Sequence, residues 1–249
     1  MSGGGLLEPL RSKDFRRLWL GQLVSVVGDK VDQIALGILV YQKTGSGLQM
    51  GITLAISMLP AALFGMVAGT FVDRFDKRLT MLAADAVRAA LVLSVPFVAE
   101  RFDGIFPVYV IAFILATVGL FFEPAKLSLS PKLVSRDGLM AANSLDNATV
   151  SAAELAGLAF AAGVVASMGV RLAFFFDAAT FVVSAIFILA IGHREVVEPQ
   201  TGGRLPGVGA DLVEGLRVAW LAAGLRDLLG DDAVATSAGA ASVTFVYVL

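Results

Sequence analysis

The stretch IFPVYVIAFILATVGLFF, residues 105–122, decides the fold: eighteen consecutive residues without one charged side chain. An α-helix of that length rises about 27 Å, close to the roughly 30 Å of hydrocarbon in a bilayer. Outward from it, five further apolar runs of similar length occupy 18–41, 48–72, 79–99, 139–167 and 170–191. Across 249 residues, 57% are apolar, only 16% are charged, and the mean hydropathy is +0.81. That is more apolar surface than one soluble core hides, so the chain is expected to be an all-α membrane protein with a six-helix transmembrane bundle. The run 18–41 is too long for a signal-peptide core and contains Asp29, Lys30 and Asp32, which makes it a retained helix.

The net charge of −2 says little, because orientation follows the loops that hold Lys and Arg. Those residues alternate. Arg11, Lys13, Arg16 and Arg17 precede the first run; Lys43 stands alone in the next loop; Arg74, Lys77 and Arg78 fill the one after it. Arg101 follows alone, then Lys126, Lys132 and Arg136, then Arg171 alone. The excess of positive charge inside places the N-terminus, the second-to-third loop and the fourth-to-fifth loop in the cytoplasm, with the chain in the cell's inner membrane. The chain has no cysteine, which excludes disulfides and thiolate metal sites.

Short breaker-rich loops such as Thr44-Gly45-Ser46-Gly47 and Arg136-Asp137-Gly138 make successive helices antiparallel. Glu123 beside Pro124 is expected to cap the cytoplasmic end of the fourth span. The division that follows is a bundle over 1–192, a cytoplasmic linker over 193–225, and the start of a second bundle over 226–249, cut within a seventh helix. In the linker, Leu212, Val213, Leu216, Ala219, Trp220 and Ala223 recur at helical spacing, the pattern of an amphipathic helix.

The string GTFVDRFDKR, residues 69–78, joins the second and third spans on the cytoplasmic side. It resembles the signature loop of the major facilitator superfamily, G-x-x-x-D-[RK]-x-G-[RK]-[RK]. The resemblance implies a gating loop in which Gly69 allows close helix approach and Asp73, Arg74, Lys77 and Arg78 form a charge relay that switches the transporter between inward-open and outward-open states. Asp76 stands where the second Gly is usual. The strings FRRLWLGQLVSVVGD (15–29), LVYQKTGS (39–46), FFEPAKLSLSPKLV (121–134) and AANSL (141–145) are similar to the macrolide and enterobactin exporter branch. Two departures count against that superfamily's proton-antiport signature: Leu158 follows Gly157 and Ala161-Ala162 replace a Gly pair, and the fourth span lacks an Arg.

Charged and polar groups inside apolar spans are costly in hydrocarbon and face a bundle interior or a wet cavity. They fall in stripes at 100° per residue. Gln22, Ser25, Asp29, Asp32 and Gln33 share one face of the first span; Asn143, Asn147, Ser151 and Glu154 share one of the fifth; Asp177, Thr180 and Ser184 share one of the sixth. Gln22, Asp29, Asp32, Gln33, Asn147 and Glu154 are therefore the candidates for a cavity holding a cationic or amphipathic substrate, where a carboxylate also serves as a proton carrier. Lys30 is an available structural partner for Asp29 and Glu154, and Asp177 reads as structural. Asp85 and Arg88, three apart on the third span, are expected to pair with each other.

Enzyme classes find no support in the sequence. Asp73-Arg-Phe-Asp76 matches only the opening of a membrane phosphotransferase pattern, since Lys77 replaces its Gly and no later aspartate pair follows. There is no His or Cys cluster for a metal, no cofactor motif and no nucleic-acid signal. The expectation is a secondary transporter that works by alternating access: an efflux permease for a drug, macrolide or siderophore-like molecule, with the lipid bilayer, a small-molecule substrate, protons and a C-terminal bundle missing from this chain as partners. The alternatives are a lysophospholipid or nutrient transporter of the same superfamily and, more remotely, an ATPase-driven permease subunit.

Overall fold

The computed structural model describes residues 6–72 and 74–193. The linker beyond His193, its amphipathic segment around Trp220, the 226–249 stretch and Asp73 lie outside the described residues. Within them the chain forms six α-helices and two short 3-10 turns and contains no strand. The helices are α1 (Lys13–Thr44), α2 (Gly47–Val72), α3 (Lys77–Arg101), α4 (Phe106–Leu133), α5 (Leu139–Met168) and α6 (Val170–Leu189).

Their ends have local causes. Ser12 caps α1 by accepting from the Phe15 N–H at 3.4 Å, and Gly45 ends it in the left-handed region at φ 63°. Asp76 caps α3, its Oδ1 accepting from the Leu79 N–H at 2.8 Å with ordinary extended backbone at φ −60°. That explains how aspartate stands in a position where the resemblance leads one to expect glycine. Gly169, at φ 82°, turns the chain from α5 directly into α6.

The fourth helix departs from expectation. It runs on past Phe122 to Leu133, with Pro124 and Pro131 inside it, so Glu123 does not cap its end. Glu123 instead pairs with Lys126 at 3.1 Å one turn on, and Lys126, 4% exposed, lies 3.9 Å from Asp146 of α5. Prolines survive inside membrane helices because neighbouring groups satisfy the freed carbonyls.

α2 through α6 contain segments long and apolar enough to cross a membrane, which makes the chain a multi-pass membrane protein. α1 is long enough at 32 residues but carries Asp29, Lys30 and Asp32 in its middle. Large apolar side chains such as Leu48, Phe106, Met140 and Leu155 are exposed on the bundle, as residues that face lipid are. α1 packs chiefly on α6 and α5, and α3 on α4 and α6, while α2 rests on α4 at the edge.

The interior has two apolar clusters. One is built from Phe15, Leu18, Met81, Ala84, Phe122, Leu129, Leu145 and Ile188; the other from Val31, Ala35, Ala89, Val92, Val95, Val165, Phe174 and Phe181. Where one gives way to the other, α1 presents Gln22, Ser25 and Gly28, and α3 presents Asp85 and Arg88. The bundle thus holds a polar layer between two greasy ones.

Candidate functional site

A cavity of about 250 Å³ opens between α1, α2 and α4, with Arg88 of α3 reaching into it. Asp29, Lys30, Asp32 and Gln33 line it from α1, and Met50, Thr53, Ser57 and Met58 from α2. Leu115, Ala116 and Gly119 close it on the α4 side. Its centre is an ion pair: the Arg88 guanidinium donates to Asp29 Oδ1 at 2.5 Å. Arg88 also lies over the Phe181 ring at 4.1 Å from its centroid, a cation–π contact that fixes the guanidinium plane. The Arg88 side chain is 13% exposed and that of Asp29 37%, so the pair is half-open to the cavity.

This arrangement corrects the pairing expected along α3. Arg88 does not turn back to Asp85; it crosses to α1, and both oxygens of Asp85 are buried without a hydrogen-bond partner. Sequence spacing favours the local pair, but Asp85 is fully buried on the α6 side of α3, opposite Ser184, and Arg88 lies one turn on toward the cavity. Arg88, Thr53 and Ser57 are functional candidates that the polar stripes do not reveal. A signal for Arg88 exists all the same: an arginine in an apolar span must find its counter-charge on another helix.

Of the six residues singled out for the cavity, Asp29, Asp32 and Gln33 line it. Gln22 lies elsewhere, 7% exposed and packed in the interior. Asn147 and Glu154 are exposed on the outward face of α5, together with Asn143 and Ser151. The three polar stripes therefore do not converge on one space inside this bundle. Lys30, set against Gly157 of α5, does not take the place of Arg88 as the partner of Asp29. Between α1 and α5 runs a mostly apolar groove of about 540 Å³, walled by Trp19, Leu23, Val27, Ala152, Ala156 and Phe160. Trp19 Nε1 donates across it to Thr149 Oγ1 at 2.9 Å.

Of the 69–78 string, Arg74, Phe75, Lys77 and Arg78 bond to the end of α2, to the turn itself and to α6. The Arg74 and Phe75 N–H groups bond back to Phe71 O and Val72 O at 3.2 and 3.1 Å, and Lys77 Nζ donates to Phe75 O at 3.0 Å. Arg78 crosses to the end of α6, where Nε donates to Ile188 O at 3.0 Å and Nη2 to Leu189 O at 2.5 Å. These are carbonyls that a helix C-terminus leaves without a partner, at its negative dipole end. Asp14 takes the other side of the same terminus, accepting from the Gly192 and His193 N–H groups at 3.1 Å each while paired with Arg17 at 2.9 Å. Burial pushes the Asp14 carboxyl up, but those three donors outweigh it and hold it below its ordinary range. Gly69 meets nothing within 4 Å of where a side chain would start, so it serves no close approach within this bundle.

Comparison with known proteins places these features in a family. Residues 4–245 match the family described as transmembrane secretion effector. The multidrug efflux pump Tap of Mycobacterium tuberculosis is 30% identical over 212 residues, covering 83% of this chain and 51% of that protein. Macrolide efflux protein A of Streptococcus pyogenes is 31% identical over 126 residues, half of this chain and 31% of that protein. An uncharacterized transporter of the same type from Bacillus subtilis, YfiS, is 25% identical over 177 residues, 71% of this chain and 42% of that protein. The chain thus spans about half the length of the curated relatives it matches over most of its own length. No solved structure gives a significant match. With apolar helices, a charge-paired cavity and a family match across nearly its whole length, the chain belongs to the transmembrane secretion effector family of the major facilitator superfamily.

Proposed function

We propose that this chain forms the first bundle of an efflux permease that exports a hydrophobic or amphipathic cation by alternating access. The observation that carries the reading is the Asp29–Arg88 pair at the cavity wall. A carboxylate already matched by an arginine can hand its charge to a cationic ligand, and the pair reforms when the ligand leaves. The cavity, at about 250 Å³, is smaller than the 300–1,000 Å³ of ordinary ligand pockets. It suits one end of a molecule whose remainder lies against a second bundle, and the exposed Asn147 and Glu154 of α5 belong to that shared space. α1 then crosses the membrane as well, bringing the spans to six, its charges turned to the cavity and the interior.

The remaining assignments follow the positive charge. The N-terminus, the 69–78 loop and the α4–α5 connection face the cytoplasm of the inner membrane, residues 193–225 link the bundles, and 226–249 begin the second. Gly69, Asp73, Arg74, Lys77 and Arg78 form the gate, with Arg78 tying it to the end of α6.

Ethidium efflux from cells that produce the protein tests the reading. Asp29→Asn and Glu154→Gln should each retain several-fold more dye or shift the pH profile, and Asp73→Asn should insert normally while slowing export. No export of any amphipathic cation by the unaltered protein would end the efflux reading; unchanged profiles in both carboxylate variants would end their role in the path.

A further inference from the structure

The α2 side of the cavity differs in kind from the α1 side. The charges around it belong to Asp29, Lys30 and Asp32 of α1 and to Arg88 of α3, whereas α2 contains no ionisable residue. The two hydroxyls that α2 places in the wall turn back onto their own helix: Thr53 Oγ1 donates to Gln49 O at 2.8 Å, and Ser57 Oγ to Thr53 O at 3.1 Å. Neither hydroxyl hydrogen is left for a ligand. What α2 offers instead is Met50, Leu54 and Met58, each four residues from the next and so on one side of the helix. Recognition from this side therefore rests on shape and dispersion.

Met50 has a defined seat. A side-chain carbon built on Gly37 of α1 would lie 2.9 Å from Met50 Cε, 3.7 Å from its Cγ and 3.9 Å from its Sδ. The thioether end thus lies against the bare backbone of Gly37, and both residues line the cavity. Met58, at the other end of the row, is 64% exposed, about 12 Å along the helix from Met50. On the α4 side the wall is low: it presents Ala116 and Gly119, and the nearest atom to where a Gly119 side chain would start is Arg88 Nε at 4.0 Å.

Methionine is unbranched, turns about three side-chain bonds and carries a polarizable sulfur that packs favourably against aromatic rings. A row of such side chains facing small residues adapts to a flat ring and holds it without a directed bond. The charge on the same ligand is then met by Asp29 on the α1 side.

We infer that Met50 and Met58 grip the aromatic end of the exported cation, and that Gly37 is the recess into which Met50 folds to admit it. The inference rests on the efflux reading and deepens it: the substrate class narrows to aromatic cations, held by charge from α1 and by thioether contact from α2.

NMR of the protein in lipid nanodiscs, with its methionine methyl groups labelled and ethidium titrated in, tests it. The chain has seven methionines, and loss of one signal each in Met50→Leu, Met58→Leu and Met140→Leu identifies three of them. Ethidium should move the Met50 and Met58 signals, because a ring stacked on a methyl group shifts its resonance. It should leave in place that of Met140, which is 81% exposed on α5 and does not line the cavity. Gly37→Ala is a mild change, since only the free end of Met50 must give way. It should weaken ethidium binding by several-fold, up to about tenfold, the low end of what one methylene is worth in an apolar pocket. In a Met50→Ala background the same change should cost less than about twofold, because the displaced group is gone. Ethidium bound with either methionine signal unmoved overturns the inference and leaves the efflux reading standing, and so does a Gly37→Ala penalty that is absent or equal in both backgrounds. Absence of ethidium binding overturns it as well, even where cells export other amphipathic cations; absence of any such export ends the efflux reading and takes the inference with it.

Discussion

α1 serves two neighbours, and the contrast between them shows how one polar stripe is divided. Toward α2 and α4 it offers Asp29 and Gln33 to a cavity, where Asp29 has an arginine and partial exposure. Toward α6 it offers Gly21, Ser25 and Gly28, one face at helical spacing, to a seam so tight that a side chain at Gly28 would overlap Thr180 and Asp177. On the cavity side Asp29 is paired and reachable, although Asp32 on the same wall has one oxygen buried without a partner. On the seam side Ser184 Oγ of α6, against Gly21, is sealed and unpaired. Burial in a membrane bundle therefore does not sort residues by charge alone; it sorts them by whether anything from outside must reach them.

The sharpest way to break this contrast is to remove Arg88, which lines the cavity and lies over Phe181 of α6. Arg88→Leu takes from Asp32 its nearby cation and leaves Asp29 only Lys30, and should lower stability by about 2–4 kcal/mol, the lower end because Asp29 is partly exposed. Adding Asp29→Asn should restore part of that loss. Thermal unfolding in detergent reads both, and equal stability of the single and double variants would show that Asp29 is not the partner that matters.

A second comparison sets two glycines against each other. Gly28→Ala meets Thr180 Cβ at 2.9 Å as well as two oxygens, and should cost about 1–3 kcal/mol through overpacking. Gly119→Ala, on the cavity wall, has only Arg88 Nε at 4.0 Å and should stabilise the helix by up to about 1 kcal/mol. If the two changes shift the unfolding temperature alike, the seam is no tighter than the cavity.

Much of this architecture is legible in the amino-acid sequence. Apolar run length locates the helices, because a bilayer sets a minimum length that the sequence must meet, and Gly45 and Gly169 end their helices where breakers stand. The continuation of α4 through Pro124 to Leu133 is not legible, because proline reads as a stop unless neighbouring helices accommodate it. Nor is the partner of Arg88, since spacing reports neighbours along a helix and is silent about those across it. The α5 stripe of Asn147 and Glu154 is polar as its spacing indicates, but a stripe states that a face avoids lipid without saying what stands opposite.

The smallest effect expected lies where the seam meets the end of α6. Asp14 is held below its ordinary carboxylate range of about 3.8, so the stability it contributes is complete at neutral pH, begins to fall near that value and is lost as pH drops through its lowered folded value. Asp14→Asn keeps an oxygen that can accept one N–H but loses the charge that holds two of them and Arg17. The variant should be less stable by about 0.5–1 kcal/mol at pH 7, with the deficit shrinking below about pH 4 as the native carboxyl protonates. Unfolding temperatures of both proteins between pH 7 and pH 3 measure that difference. A deficit that stayed constant with pH would mean that Asp14 holds the end of α6 by shape and not by charge, and the clasp it forms with Arg78 would then rest on the arginine alone.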